Sequence, residues 1–262
     1  MTQQIDMRAL DERGYCLMRG ILDKRVIDDF EKEIADFCAA QFAKRGLKPV
    51  PNEEPLTTLF KIGGRYRHML FNMLQSLTSL AYLKVSLFDQ FKKGGALETL
   101  GFQLPISTTG LRIDLPFDVK HEEPWHQDYS SSCLRAFHAW VPLRRVDSHY
   151  GTVRVIPGTH KRGFVAHDMS NPRRPFLPQQ VIAGLDSVVI EADPGDALIF
   201  NSLTFHRSET NQSNRIKFIV GYMMQDLASM EDPEDPTSPI WDMFEMTRRR
   251  FELNQARAVE AV

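Results

Sequence analysis

The stretch that decides the fold of this 262-residue chain reads Asp193-Pro-Gly-Asp-Ala-Leu-Ile-Phe-Asn-Ser-Leu-Thr-Phe-His206. It opens with a Pro-Gly turn, continues through the apolar run Ala197–Phe200 and ends on a histidine. Short apolar runs bounded by turn residues are typical of β-strands. The sequence therefore predicts a turn, then a strand, with a histidine placed just beyond the strand.

Similar runs recur between residues 98 and 226, separated by Pro, Gly, Asp and Asn. Many short strands with regular turn signals are typical of β-sandwiches and barrels, so we expect a mainly β architecture here. The predicted strands are Leu111–Leu115, Ala136–Leu143, Thr152–Ile156, Ser187–Glu191, Ala197–Phe200 and Ile216–Met223.

The first third of the chain is predicted to be helical. Asp23 is a candidate N-cap and Gly46 a candidate C-terminal stop, and the apolar residues between them recur at steps of three and four. A second helix is predicted from Met73 to Lys93, and a short strand is predicted between Gly14 and Gly20. We expect both helices to pack against the sheet.

Composition excludes several classes of protein. With 32 Lys+Arg against 34 Asp+Glu, the chain lacks the basic footprint of a nucleic-acid binder. No apolar stretch approaches the roughly 20 residues of a membrane-spanning helix, and Met1–Asp6 lacks the pattern of a signal peptide. Three cysteines without paired spacing predict neither a disulfide framework nor a cysteine metal site. We expect a reduced, cytoplasmic globular protein without nucleic-acid or membrane partners.

Two histidines stand out among the eight. In His126-Gln-Asp128, an extended backbone would aim an imidazole and a carboxylate at one point. His206 would supply a third ligand from another strand. Two His and one carboxylate with open positions form the facial triad of non-haem Fe(II) oxygenases. By contrast, His138 is interpreted as a core residue and His167 as a solvated loop residue.

Two cations follow the distal histidine. Arg215 and Lys217 lie nine and eleven residues after His206, at the start of the predicted strand Ile216–Met223. Alternating side chains would place both on one face, where a fixed cation could hold the distal carboxylate of a dicarboxylate such as 2-oxoglutarate. The alternative is a solvated cation at a strand entrance.

Taken in order, several segments resemble the phytanoyl-CoA dioxygenase family of Fe(II)/2-oxoglutarate-dependent oxygenases. The resemblance spans about residues 8 to 225. The matching segments are Leu111-Arg-Ile-Asp-Leu-Pro116, Pro124-Trp-His-Gln-Asp128, Trp140-Val-Pro-Leu143, Gly151-Thr-Val-Arg-Val-Ile-Pro-Gly-Thr-His-Lys161 and His206-Arg-Ser-Glu-Thr-Asn-Gln-Ser213.

The resemblance implies a double-stranded β-helix, a cupin-like jelly roll of mainly β (α+β) class, braced by N-terminal helices. It implies His126, Asp128 and His206 as iron ligands. The candidate iron ligands lie on strands that are far apart in sequence, so one continuous barrel must carry them. Residues 1–262 are therefore expected to form a single domain. Within it we expect a helical part at 1–97, a jelly-roll core at about 98–226 and a helical tail at 232–262.

The resemblance also bears on 2-oxoglutarate binding. In the family, a basic residue eleven positions after the distal histidine holds the co-substrate carboxylate, and it is usually Arg. Spacing therefore favours Lys217 and chemistry favours Arg215, so both stay candidates. Ser208 matches a position whose hydroxyl can assist the same carboxylate, and Thr109 lies where an upstream polar residue often reaches the co-substrate.

The implied activity is hydroxylation of a small molecule, with consumption of O₂ and 2-oxoglutarate and release of succinate and CO₂. Related halogenases replace the carboxylate ligand with a small residue, so an intact Asp128 favours hydroxylation. One alternative is a zinc-dependent hydrolase or isomerase, which would not need the cation after His206. The other is a non-catalytic cupin-like binding protein, which would leave the triad unexplained.

The sequence predicts only one property of the substrate, its charge. Residues 44–67 and 162–180 are the candidate pocket walls, and each holds several basic residues, among them Arg162, Arg173 and Arg174 in the second. This favours an anionic small molecule, and solvated loops are the alternative.

Overall fold

The computed structural model of the chain describes residues 4–119, 122–128, 136–232 and 234–260, with side chains through residue 256. Helices precede and follow a β-rich middle. The α-helices are α1 (Met7–Arg13), α2 (Lys24–Arg45), α3 (Pro55–Lys61), α4 (Gly64–Gln75), α5 (Thr78–Lys93), α6 (Ala96–Thr99), α7 (Gln179–Ile182) and α8 (Trp241–Glu260). The strands are β1 (Tyr15–Met18), β2 (Pro105–Asp114), β3 (Glu123–His126), β4 (Ala136–Pro142), β5 (Val153–Val155), β6 (Val188–Val189), β7 (Ala197–Asn201), β8 (His206–Ser208) and β9 (Lys217–Asp226).

The strands form two antiparallel sheets. One has the order β1-β7-β4-β9-β2 and the other the order β3-β8-β5-β6. Neighbours in these orders are distant in sequence, as the crossing connections of a jelly roll require. The predicted jelly-roll fold is confirmed. That the whole chain is one domain stays a prediction.

Strand β7 explains how the sheets and helices share a core. Its side chains alternate between the two faces, as the pleat of a strand requires. Ala197 and Ile199 belong to the cluster shared with the helices. Leu198 and Phe200 belong to a second cluster with Val155 of the four-stranded sheet. The five-stranded sheet is therefore covered by helices on one face and by the second sheet on the other.

Helix α2 forms where the sequence predicts it. The Asp23 side chain accepts a hydrogen bond from the Arg25 N–H at the N-terminus, and Gly46 ends the helix in the left-handed conformation at φ 61°. The apolar stripe packs on α5 and on the sheet, where the Phe30 and Phe218 rings meet edge to face at 5.4 Å.

The predicted helix from Met73 to Lys93 is wrong at its start, because the structure has two helices, α4 and α5, that meet at Ser76 and Leu77. The break is fixed by a contact from another helix. The Glu33 carboxylate of α2 accepts hydrogen bonds from the backbone N–H groups of Thr78 and Ser79. The N-terminus of α5 is therefore capped by a carboxylate of α2, and not by the side chain of the residue that precedes α5.

Other boundaries also differ from the prediction. Strand β2 begins six residues before the predicted start at Leu111. The short strands β3 and β8 were not predicted, because neither contains a long apolar run. Cys16 and Cys38 are buried free thiols, and Cys133 lies outside the described residues. Within the part of the chain that the structure describes, no helix has the length and apolar character needed to cross a membrane.

Candidate metal centre and active-site cavity

Two neighbouring strands bring the predicted triad together. His126 ends β3 and His206 begins β8, and the two are register partners in the antiparallel pair. Asp128 lies just beyond the end of β3, so the turn, and not a continued strand, presents its carboxylate. His126 Nε2 lies 3.3 Å from Asp128 Oδ1, and His206 Nε2 lies 3.3 Å from Asp128 Oδ2. One ligand atom from each residue fits within 4.8 Å of the others.

Backbone carbonyls orient both imidazoles. His126 Nδ1 lies 2.7 Å from the Pro124 carbonyl oxygen, and His206 Nδ1 lies 3.0 Å from that of Thr204. A carbonyl only accepts, so each Nδ1 carries a proton that it donates there, and each ring turns its Nε2 toward Asp128. Two imidazole nitrogens and a carboxylate oxygen thus form one compact set of ligand atoms. The donor set therefore fits a divalent metal, and two His with one carboxylate are typical of Fe(II).

Gln127, between His126 and Asp128, anchors this part of the chain. It is 2% exposed, and its side-chain N–H groups donate to the carbonyls of Gly163 and Leu203 at 2.9 and 2.8 Å. Its backbone N–H donates to His167 Nε2 at 3.0 Å. His167 Nδ1 in turn donates to the Val165 carbonyl at 2.8 Å. His167 is thus a buried, neutral acceptor, and its interpretation as a solvated loop residue is wrong.

Burial lowers the pKa of His167 to about 4. This folded-state pKa lies below 6.5, the ordinary histidine value that His167 has in the unfolded chain. As the pH falls, His167 is therefore protonated in the unfolded chain before it is protonated in the folded protein. The contribution of neutral His167 to the free energy of unfolding is fully present above pH 6.5 and is lost progressively as the pH falls toward 4. Between pH 7.5 and 5.0 this one group should cost about 2 kcal/mol of unfolding free energy.

Urea unfolding of metal-free protein at the two pH values measures this loss. His167→Gln keeps an acceptor but does not titrate, so its stability should fall by about 2 kcal/mol less than that of the wild type over the same interval. Equal losses in the two proteins would contradict the assignment.

A third imidazole, which sequence reasoning did not place at the site, lies beside the triad. His138 of β4 places Nδ1 3.4 Å from Asp128 Oδ2 and stacks on the Phe200 ring at 5.3 Å. Burial would raise the pKa of Asp128, but the neighbouring His138 and His206 hold it well below its ordinary value. Asp128 is therefore an anion. The signal in the sequence was the position of His138 on a strand that also carries the cavity residue Trp140.

The triad opens into a cavity of about 510 Å³. Four arginines and two carboxylates line it among the described residues. They are Arg112, Arg173, Arg174, Arg250, Glu123 and Asp128. Thr247 and Arg250 come from α8, so the C-terminal helix, predicted as a surface element, supplies part of the wall. Of the two predicted wall segments, 162–180 contributes and 44–67 does not.

The structure separates the predicted co-substrate residues. Lys217 is 2% exposed and pairs with Asp114 at 2.7 Å. Arg215 is half exposed and lies 3.6 Å from Glu54, away from the cavity. Ser208 lines the cavity beside His206. Thr109 lies further along β2, exposed and opposite Tyr222 of β9.

Arg112 is the cavity cation that sequence reasoning did not single out. It lies on β2 within the segment Leu111-Arg-Ile-Asp-Leu-Pro116, and its Nη1 is 3.4 Å from Ser208 Oγ. Two charged residues two positions apart, Arg112 and Asp114, interrupt the otherwise apolar segment from Leu111 to Pro116. Charges at that spacing on a buried strand share one face and were the available signal.

Comparison with known proteins agrees with this geometry. The model of the phytanoyl-CoA dioxygenase (PhyH) family matches residues 114–219, a span that contains the whole triad. The 1-deoxypentalenic acid 11-beta-hydroxylase of Streptomyces exfoliatus is 26% identical over 225 residues, which cover 79% of this chain and 74% of the relative.

Two solved structures share the fold. EvdO2 from Micromonospora carbonacea var. aurantiaca, solved with 2-oxoglutarate, superposes with a TM-score of 0.57 at 15% identity and covers 92% of this chain and 98% of its own. The non-heme monooxygenase ThoJ, solved in its apo form, has a TM-score of 0.57 at 16% identity. The match covers 95% of this chain and 97% of the ThoJ chain.

These matches confirm the predicted enzyme class, an Fe(II)/2-oxoglutarate-dependent dioxygenase. The triad residues and the two carbonyls that orient its imidazoles all lie within residues 114–219, which the family model spans. The predicted resemblance to the phytanoyl-CoA dioxygenase family is therefore confirmed over residues 114–219.

Proposed function

We propose that this chain hydroxylates a small organic anion, with iron held by His126, Asp128 and His206. The observation that carries the proposal is the convergence of two Nε2 atoms on one carboxylate at the floor of a cavity. When bound, iron and 2-oxoglutarate supply the oxidising power, with O₂ consumed and succinate and CO₂ released.

The chain's own residues bind and orient. The Pro124 and Thr204 carbonyls fix the two imidazoles, and Gln127 with His167 fixes the turn that carries Asp128. These three protein ligands would hold the metal and would leave positions on it open to 2-oxoglutarate and O₂. Trp140 and Phe200 give the cavity apolar walls that limit access of water near the triad.

Charge at the cavity supports an anionic substrate. Arg250 of α8 donates to the carbonyls of Pro172 and Arg173 at 2.9 and 3.1 Å, so α8 clamps the backbone of this segment. The Arg173 guanidinium has no hydrogen bond or ion pair within the part of the chain that the structure describes. It is therefore available to pair with a carboxylate of the substrate.

The relative from Streptomyces exfoliatus is a hydroxylase named for an acid, 1-deoxypentalenic acid. Its name is consistent with the charge of the cavity described above. We propose an organic carboxylic acid as the substrate class, and hydroxylation rather than halogenation because Asp128 keeps the carboxylate ligand in place.

Turnover tests this proposal. A panel of aliphatic, alicyclic and aromatic carboxylic acids, each with its methyl ester, is incubated with Fe(II), 2-oxoglutarate and O₂. Succinate release and a +16 Da product identify the accepted acid. We expect its methyl ester to react at least ten-fold less efficiently, because the ester cannot form the charged pair.

Arg173→Gln should raise KM for the accepted acid about ten-fold while changing KM for its ester little, since one charge-assisted hydrogen bond is lost. Arg162→Gln is the matched control, because Arg162 is exposed, in the same segment and outside the cavity walls. Equal efficiency for acid and ester, with Arg173→Gln like wild type, would contradict an anionic substrate.

We also propose a reducing, cytoplasmic location. Burial raises the pKa of the Cys16 thiol to about 11 and that of Cys38 to about 12, so both stay protonated and inert. Neither is available for a disulfide without unfolding.

A further inference from the structure

Within the part of the chain that the structure describes, one edge of the five-stranded sheet has no strand beside it. β2 is the last strand in the order β1-β7-β4-β9-β2, so it pairs with β9 on one side only. Its first six residues, 105–110, are all exposed. An open strand edge presents backbone N–H and C=O groups with which another strand can pair.

The Gln75 side chain shows which way the backbone of β2 points. The Leu111 N–H donates to Gln75 Oε1 at 3.0 Å, and Gln75 Nε2 donates to the Leu111 carbonyl at 2.5 Å. Leu111 therefore turns both backbone groups away from β9, and the Gln75 amide takes the place of a peptide group of a neighbouring strand. Alternate residues of an antiparallel strand direct their backbone groups to the same side. Ser107 and Thr109 therefore also face outward.

The inward-facing residues of the strand agree with this direction. The Leu104 carbonyl accepts a hydrogen bond from the Leu227 N–H at 2.9 Å, which extends the ladder between β2 and β9 by one pair. Leu104 and Leu111 are an odd number of positions apart, so alternation requires them to point to opposite sides. The two contacts thus assign the direction of every backbone group along this edge.

The open edge offers two N–H donors. They belong to Ser107 and Thr109, because Pro105, the next outward residue, has no N–H. Outside the ladder with β9, no described residue accepts a hydrogen bond from either N–H. A strand placed against this edge would therefore find both donors available.

The open edge is also uncharged. From Thr99 to Leu111 the sequence has no Asp, Glu, Lys, Arg or His residue. Exposed edge strands usually carry charged side chains, lysine above all, that prevent pairing with another chain. When a strand pairs with a copy of itself, a charge near the symmetry axis lies close to its own like charge and opposes pairing. A second copy of this chain meets no such repulsion here.

Gln75 limits the register of a self-paired edge. It fills the position beside Leu111, so a partner strand can occupy the edge only as far as Thr109. An antiparallel pair centred on Ser107 meets this limit, because it places Pro105 of the second copy opposite Thr109. Each of the two outward N–H groups in each copy then finds a carbonyl acceptor, and proline lies where no donor is required.

The exposed side chains of the edge fit the same register. Ile106 and Leu104 are large apolar residues that are 39% and 60% exposed. A pair centred on Ser107 places Ile106 opposite Thr108 of the second copy, and Leu104 opposite Gly110. No atom lies within 4 Å of the position that a Cβ of Gly110 would occupy, which leaves room for the leucine. Each large apolar side chain thus meets a small residue and is removed from water.

We propose that the chain forms a two-fold symmetric dimer in which the open edges of β2 pair antiparallel about Ser107. The two five-stranded sheets then join into one continuous sheet. Because the same edge is used by both copies, the contact closes on itself and stops at two chains. The dimer does not depend on the proposed enzymatic activity.

Sedimentation equilibrium of the whole wild-type chain measures the dimer. We expect the mass to rise from the 30.1 kDa of one chain to twice that value as the concentration is raised to about 100 µM. Ser107→Lys should raise the dissociation constant about five-fold, because it places two like charges directly opposite each other. Ser148→Lys is the matched control, since Ser148 is an exposed serine on the loop after β4 and should leave the constant unchanged. Circular dichroism checks that both variants are folded.

Cross-linking tests the register. In the proposed dimer the two copies of residue 107 face each other with Cα atoms about 5.5 Å apart, within reach of a disulfide. The two copies of residue 109 are offset along the strands by about 13 Å. Ser107→Cys should therefore form a disulfide-linked dimer on mild oxidation, and Thr109→Cys, on the same outward side of β2, should not. The wild type, with its own three cysteines, is the background.

Three results would overturn the dimer or its register. A wild-type mass of one chain at about 100 µM would exclude a dimer of useful affinity. A dimer that Ser107→Lys weakens no more than Ser148→Lys does would be formed by another surface. Equal cross-linking of Ser107→Cys and Thr109→Cys would contradict the register. If Ser107→Lys did not fold, the comparison of the two cysteine variants would still decide.

Discussion

Asp128→Asn is expected to weaken Fe(II) binding by more than about 100-fold and to abolish turnover. The substitution is isosteric, so the turn held by Gln127 and His167 should persist. It removes the negative charge of Asp128, whose carboxylate oxygens each lie 3.3 Å from one imidazole, of His126 and of His206. Substitution of residues that only hydrogen-bond to metal ligands already lowers metal affinity about 10- to 100-fold. Loss of an anionic ligand itself should therefore exceed that range.

Competition with a coloured Fe(II) chelator under anaerobic conditions measures the affinity. Asp186→Asn is the matched control, because Asp186 is an exposed carboxylate on a turn outside the cavity. Circular dichroism checks that the variant is folded. Fe(II) affinity of Asp128→Asn within three-fold of the wild type would remove Asp128 from the ligand set.

Arg144→Met is expected to lower the free energy of unfolding by about 3 kcal/mol. Arg144 is buried just after β4, and its guanidinium joins three elements. Nε and Nη2 donate to Glu31 of α2 at 2.6 and 2.8 Å, and Nη1 donates to Glu54 before α3 and to the Ile216 carbonyl before β9. Removing the cation leaves the Glu31 carboxylate and the Ile216 carbonyl without this donor, whereas Glu54 keeps the Ile216 N–H and the nearby Arg215. The carboxylates keep some contact with water, which places the loss at the lower end of the range for buried pairs.

Arg145→Met is a control of the same residue type one position along. Its side chain is 64% exposed and lies 3.5 Å from an exposed Asp193, so its removal should change stability by less than about 0.5 kcal/mol. Urea unfolding of both variants gives the comparison. Equal stability of the two would show that the bridge between the helices and the sheet contributes nothing measurable.

The closeness of His126 and Asp128 in the candidate metal site was predictable because the two residues are neighbours in sequence. His126 and Asp128 are two residues apart, and His206 follows a turn and strand that the residues announce. Helix α2 was equally predictable, since Asp23 and Gly46 cap it with their own side chain and backbone. Where a segment contains all the groups that define it, sequence reasoning succeeds.

Features fixed by distant contacts were missed. The break between α4 and α5 depends on Glu33, some 45 residues away, which no local pattern contains. The buried, neutral state of His167 depends on Gln127, 40 residues away. The two cations after His206 looked equivalent until β2 placed Asp114 opposite Lys217 and left Arg215 near Glu54. Register between β2 and β9, which sequence does not encode locally, decided the last of these cases.

The most direct test of the central claim is an anaerobic titration of the wild-type protein with Fe(II) and then with 2-oxoglutarate. We expect one equivalent of Fe(II) to bind, and addition of 2-oxoglutarate to produce a weak visible charge-transfer band that is absent in Asp128→Asn. No band and no 2-oxoglutarate binding at saturating Fe(II) would contradict the proposal that His126, Asp128 and His206 form an iron site beside a 2-oxoglutarate site.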